Sequence, residues 1–290
     1  MVTAVSLLTA FFLPAAETIV AYSGLATPTG VVGIDADSLS AVTGTITQGY
    51  IPAQDMAVDG NGRLYGFSIS TLSEYDPVSL TALRSVSLGN NLNGLAAHNG
   101  VLYMYSQGPA AAHLLAFDAG DFSLIAGTPG NSRRFGQDLA FNESGRLFGV
   151  SGHTLFEYDP VSLAVLRSAG AGGGIQGLAA RNGILYSYSG DTASPGLITF
   201  DADSFSLLSG TLSSSIIAGQ DLTFSGSGRL FGSSRGVVRE YDPATLEILH
   251  SAPFNGALHG LAIVPEPGTA LLAALGAVRL LGRSRGKRPA

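Results

Sequence analysis

The chain has 290 residues, 46% of them hydrophobic and 12% charged, with 39 Gly and no Cys. Without Cys there is no disulfide framework, thiolate metal site or thiol nucleophile. The net charge is −6, but five cations (Arg279, Arg283, Arg285, Lys287 and Arg288) crowd the last twelve positions, leaving 10 basic against 20 acidic residues before residue 265. An acidic body repels phosphate backbones, so nucleic acid is not an expected partner.

At the N-terminus, residues 5–16 form an apolar stretch ending in Pro14-Ala15-Ala16. An apolar run followed by small residues is the pattern of a secretory signal peptide, here residues 1–16, and it predicts export.

Residues 17–264 are governed by an internal repeat. The segment 54–66, QDMAVDGNGRLYG, recurs as QDLAFNESGRLFG at 137–149 and as QDLTFSGSGRLFG at 220–232, both at a shift of 83. A weaker copy runs NGLAA at 93–97, QGLAA at 176–180 and HGLAI at 259–263, with the same shift. Each period therefore holds a short and a long module, averaging about 41 residues, the length of a four-stranded propeller blade.

Within 137–175 the expected strands are 139–141, 146–150, 154–158 and 164–168, separated by Gly-, Asp- and Pro-containing turns. Five modules are complete: 54–92, 93–136, 137–175, 176–219 and 220–258. The sixth is split. Residues 22–38 match 188–204 without a gap at a shift of 166, twice the period, and 259–264 supply the missing first strand. The reading is an all-β, six-bladed β-propeller whose first and last strands share one blade. Such closure leaves no open end for edge pairing.

Asp35, Asp76, Asp118, Asp159, Asp201 and Asp242 each follow the third strand of a module, three of them as Asp-Pro, and are expected to shape turns. Arg63, Arg146 and Arg229 begin second strands and read as surface or turn residues. The glycine run 170–174 precedes a strand, so it lacks the helix N-terminus of a phosphate loop.

The candidate site lies where first strands begin, at the mouth of the central channel. Those positions are Gln54, Asn93, Gln137, Gln176, Gln220 and His259, followed by Asp55, Gly94, Asp138, Gly177, Asp221 and Gly260. The result is a polar ring of Gln54, Asp55, Gln137, Asp138, Gln220 and Asp221 with three carboxylates in threefold array. Three oxygen ligands can hold a hard cation such as Ca²⁺. The alternative is that each Asp caps backbone N–H groups of its own loop. Longer loops at 24–29, 107–113 and 190–195 are expected on the same face and suit contact with glycan or protein. His98, His113, His153, His250 and His259 do not recur as a ligand set, and no Ser/His/Asp constellation is apparent.

After the last strand come Pro265-Glu266-Pro267, an apolar run at 269–281 and a basic end. Motif, apolar segment and basic tail together resemble the PEP-CTERM sorting signal, a segment also described as an ice-binding protein C-terminal domain. The resemblance covers about 26 residues. It implies that Pro265, Glu266 and Pro267 are read by an exosortase-type membrane protease. It also implies that the apolar run is a short membrane-crossing helix, with the basic end in the cytoplasm. Members of that family are exported by Gram-negative bacteria that make extracellular polysaccharide. The expected function is a non-enzymatic envelope or matrix module, with an extracellular metal-dependent hydrolase or lactonase as the alternative.

Overall fold

A computed structural model describes residues 17–23, 30–44, 54–68, 70–89, 92–106, 112–129, 136–189, 196–210, 221–234, 236–254 and 258–265. The signal segment 1–16, Gln220, Glu266, Pro267 and the apolar run lie outside them. So do the side chains of Gln54 and Gln137 and the three longer loops, apart from the backbone of Ala112 and His113.

The chain opens with β1 (Thr18–Ser23), β2 (Gly30–Asp35) and β3 (Ala41–Gly44). Five consecutive four-stranded meanders follow. They are β4 (Gln54–Val58), β5 (Leu64–Ser68), β6 (Thr71–Tyr75), β7 (Ala82–Ser87); then β8 (Leu92–His98), β9 (Val101–Ser106), β10 (Ala112–Asp118), β11 (Leu124–Pro129). Next come β12 (Gly136–Phe141), β13 (Leu147–Ser151), β14 (Thr154–Tyr158), β15 (Val165–Gly170); and β16 (Ile175–Arg181), β17 (Ile184–Ser189), β18 (Gly196–Asp201), β19 (Leu207–Ser209). The last are β20 (Asp221–Phe224), β21 (Leu230–Ser234), β22 (Val237–Tyr241), β23 (Ile248–Pro253), with β24 (Leu258–Val264) completing the first blade. The sixth sheet runs β24-β1-β2-β3, with Val20 opposite Ala262 and Thr18 opposite Val264. The innermost strands β4, β8, β12, β16, β20 and β24 each contact the next, and β24 returns to β4. The protein is a closed six-bladed β-propeller, and among the described residues there is no helix.

The hydrophobic core lies between blades rather than within them. It divides into six clusters, one at each junction around the ring. Second strands are covered on both faces, which is why β13 reads Leu147-Phe148-Gly149-Val150-Ser151 without a polar alternation and is buried throughout.

The 83-residue period has a physical cause: two kinds of junction alternate. From each long module to the next short one runs a tyrosine pair. The hydroxyls of Tyr22 and Tyr75, Tyr105 and Tyr158, and Tyr188 and Tyr241 lie 2.8, 3.0 and 2.9 Å apart. The last Gly of the repeated motif makes room for them. A Cβ on Gly149 would stand 2.0 Å from the Tyr105 hydroxyl, and on Gly232 2.2 Å from that of Tyr188.

From each short module to the next long one runs an arginine clamp. Arg63 Nε pairs with Glu74 at 2.8 Å, Arg146 with Glu157 at 2.7 Å and Arg229 with Glu240 at 2.7 Å. Their guanidinium groups also donate to carbonyls of the following blade, on Ala119, Ala202 and Ala36. The sequence reading of these arginines as turn or surface residues is therefore corrected. They are half-buried and join blades, because a bidentate fork reaches a carboxylate and a neighbouring carbonyl at once.

The six turn aspartates each accept two backbone N–H groups, as at Asp159 from Val161 and Ser162. Their turns share one further feature. Leu39, Leu80, Phe122, Leu163, Phe205 and Leu246 all have positive φ. That conformation is unfavourable for bulky residues. Burial of the side chain into the core, to 1% exposure for Leu80 and Leu163, offsets it.

Candidate functional site

The three aspartates at the starts of β4, β12 and β20 converge on the ring axis. One carboxylate oxygen from each of Asp55, Asp138 and Asp221 lies within 4.8 Å of the others, and all three residues are buried. The sheets aim them there. In each long module a β-bulge sets the glycine of Asn93-Gly94-Leu95, Gln176-Gly177-Leu178 or His259-Gly260-Leu261 out of register. Such bulges re-aim the local backbone. The following amide then points across the junction, so Asp55 Oδ2 accepts from Leu95 N at 2.5 Å and Asp138 Oδ2 from Leu178 N at 2.5 Å. Asp221 accepts likewise from Leu261 N. The second oxygen of each accepts from the residue after it, Met56, Leu139 or Leu222, at 2.7 Å.

The glycines are required. Gly260 has φ +57°, and a Cβ there would lie 2.5 Å from the Asp55 Cα. This alternation of Asp and Gly lets one blade carry the carboxylate while the next lets the backbone approach.

Both readings of the aspartates find geometry here. Each does accept backbone N–H groups, though one of the two comes from the neighbouring blade rather than its own loop. Each oxygen with one amide bond keeps a lone pair, and separations within 4.8 Å, about twice a Ca–O bond of ~2.4 Å, suit a hard cation.

Electrostatics make the cluster unstable as three bare charges. At an effective dielectric of about 20, two carboxylates at this spacing repel by roughly 3.5 kcal/mol. Burial, opposed by the amide bonds, pushes Asp221 up to about 6. Burial, and then repulsion from Asp221, holds Asp55 and Asp138 well above the usual carboxylate range. Three simultaneous negative charges are therefore disfavoured here unless a proton or a cation offsets them.

Below the aspartates the axis is an open channel of about 300 Å³. Its walls are residues of the six inner strands, among them Ala57, Ala97, Ala140 and Ala180, and it runs to Phe141, Phe224 and Pro265 at the other face. Among its described lining residues the three aspartates are the only ionisable groups.

Of the other sequence candidates, the side chains of Gln54, Gln137 and Gln220 lie outside the described residues. The described histidine side chains do not converge: His98 stacks on Phe141 at 4.4 Å, His250 pairs with Glu240 at 2.9 Å, and His259 sits on β24. The tyrosine pairs and arginine clamps were missed by the sequence reading. Their signal was present, since Tyr22, Tyr105 and Tyr188, and likewise Glu74, Glu157 and Glu240, recur at the 83-residue shift.

Fold and channel together define the class: a β-propeller with a carboxylate cluster on its axis. No family model matches the chain, and no curated protein does. Among solved structures it is similar to a protein of unknown function from Bacteroides caccae, with a TM-score of 0.66 and 13% identity. That match covers 87% of this chain and 100% of the other. At such identity the likeness shows the fold alone. Among the described residues no helix is long and apolar enough to cross a membrane.

Proposed function

We propose that the protein is an exported propeller acting as a non-enzymatic binding or structural module in the envelope or matrix of a Gram-negative bacterium. Its tail is sorted by an exosortase-type protease, with transient anchoring in the inner membrane. The observation that supports this reading is where the ring closes. All six blades and the aspartate cluster are complete at Val264, and the chain leaves the innermost strand at Pro265, the first residue of the motif. Removing everything after that point costs the propeller none of its described strands.

The test is expression in a Gram-negative host with an exosortase, comparing the wild type with a variant carrying Pro265→Ala, Glu266→Ala and Pro267→Ala. The expected result is a shortened wild-type protein in the envelope or medium and an uncleaved variant held in the inner membrane. Identical processing of the two, or wild-type protein uncleaved in the cytosol, contradicts the proposal. A pull-down of the secreted form from native matrix then distinguishes polysaccharide from protein as its ligand.

The buried carboxylate cluster favours one second reading, an extracellular metal-dependent hydrolase or lactonase with Ca²⁺ on Asp55, Asp138 and Asp221. Calorimetric titration with Ca²⁺ on the wild type and on Asp138→Ala, with lactone hydrolysis measured with and without chelator, separates the two. Chelator-sensitive turnover abolished in Asp138→Ala supports the second reading, and binding without turnover leaves the first.

A further inference from the structure

The two faces of the propeller differ sharply in charge. Strands alternate in direction, so the ends of first and third strands share one face with the starts of second and fourth strands. On that face lie the six turn aspartates, together with Asp37, Asp121, Asp203, Glu143 and Glu247. On the opposite face the described acids are the buried cluster alone. The cations on the acidic face are largely committed. Arg63 and Arg84 pair with Glu74, Arg146 with Glu157 and Asp203, Arg167 with Glu157, and Arg229 with Glu240 and Asp37. Asp76, Asp118, Asp159, Asp242 and Glu247 form no ion pair among the described residues.

The chain leaves the ring through this same face. Pro265 lines the channel mouth at its centre, beside Phe141 and Phe224. The segment after it carries Arg279, Arg283, Arg285, Lys287 and Arg288 against the single acid Glu266. We infer that this basic segment docks on the acidic face of its own propeller.

The geometry permits it. Outer turns lie two to three strand spacings from the inner strand, roughly 10–14 Å away. The fourteen residues that follow Pro265, as far as Arg279, span about 48 Å extended and about 21 Å even as a helix. Tethering gives the segment an effective concentration on the order of millimolar. The acidic turns lie at the surface, so salt weakens the contact as the screening length falls from ~10 Å at 0.1 M to ~3 Å at 1 M. The contact belongs to the intact chain, before its tail enters a membrane or is processed.

The absence of Cys makes the test direct. A nitroxide on Ala290→Cys in the full chain is read by paramagnetic relaxation of backbone amides. At low salt the expected enhancement falls on turns of the acidic face, at Gly120, Val161 and Thr245, and not at Ser87 or Gly172 on the opposite face. Changing Arg283, Arg285, Lys287 and Arg288 to Gln, or raising NaCl to about 1 M, should reduce it several-fold. That variant leaves every blade untouched, so folding does not confound it. Equal enhancement in wild type and variant, enhancement shared by both faces, or enhancement that grows with protein concentration overturns the inference.

Discussion

Replacing Asp221 by Asn should flatten the dependence of folding stability on pH. Asp221 is held up to about 6 in the folded protein, against about 3.9 in an unfolded chain. Between those values the folded protein keeps a proton that the unfolded chain has released. This contribution to stability is therefore fully present below pH ~4 and is lost as pH rises through ~6. The shift is roughly two units at ~1.4 kcal/mol each, or about 3 kcal/mol. Asp55 and Asp138 are raised too and add further loss as they titrate. Repulsion from Asp221 contributes to both, so the variant relaxes them as well.

The turn aspartates act in the other sense. Backbone hydrogen bonds hold Asp76, Asp159 and Asp242 below the usual range, so their contribution is lost as pH falls. Those groups are common to both proteins and cancel in the comparison. Asn also gives up one of the two amide bonds, which displaces its curve by ~1–2 kcal/mol at every pH. Urea unfolding followed by far-UV circular dichroism and tyrosine fluorescence, from pH 4 to 8 with excess chelator, measures the slopes. The wild type should lose roughly 2–3 kcal/mol more than Asp221→Asn across that range. Parallel curves refute the reasoning.

Gly149→Ala should destabilise the protein by about 1–3 kcal/mol in urea, because its Cβ falls 2.0 Å from the Tyr105 hydroxyl. Adding Tyr105→Phe removes the clashing oxygen and should recover part of the loss. Glu157→Gln should cost about 1–2 kcal/mol at pH 7 by weakening the clamp on Arg146 and Arg167. Those arginines hold the Glu157 carboxyl below its usual range, so its contribution disappears as pH falls through that depressed value. The two proteins should then converge in an acid titration of stability.

Much of the fold was legible because a closed ring writes itself as a period. The gapless match of residues 22–38 to 188–204 located the shared blade before any strand pairing was known. The convergence of Asp55, Asp138 and Asp221 followed from their place at the starts of inner strands. For three features the sequence repeated the residues but did not show the partner each one meets. The arginines looked like turn residues because their partners, Glu74, Glu157 and Glu240, lie eleven positions further on and their carbonyl acceptors lie in another blade. The tyrosine pairs span 53 positions, and nothing local tells a buried hydroxyl which neighbour it meets. The route from Asp138 to Leu178 N depends on a bulge whose effect is a matter of backbone direction, visible only once strands are placed.

At the centre of the proposed function, residues 17–265 are the working protein and what flanks them is processed. Intact-mass spectrometry of the protein purified separately from the cytosol, envelope and medium of its native cells tests this most directly. The expected species begins near Glu17 and terminates at or shortly after Pro265-Glu266-Pro267, with any attached group appearing as added mass at that end. A cytosolic species retaining residues 1–16 and 268–290 unaltered would contradict it.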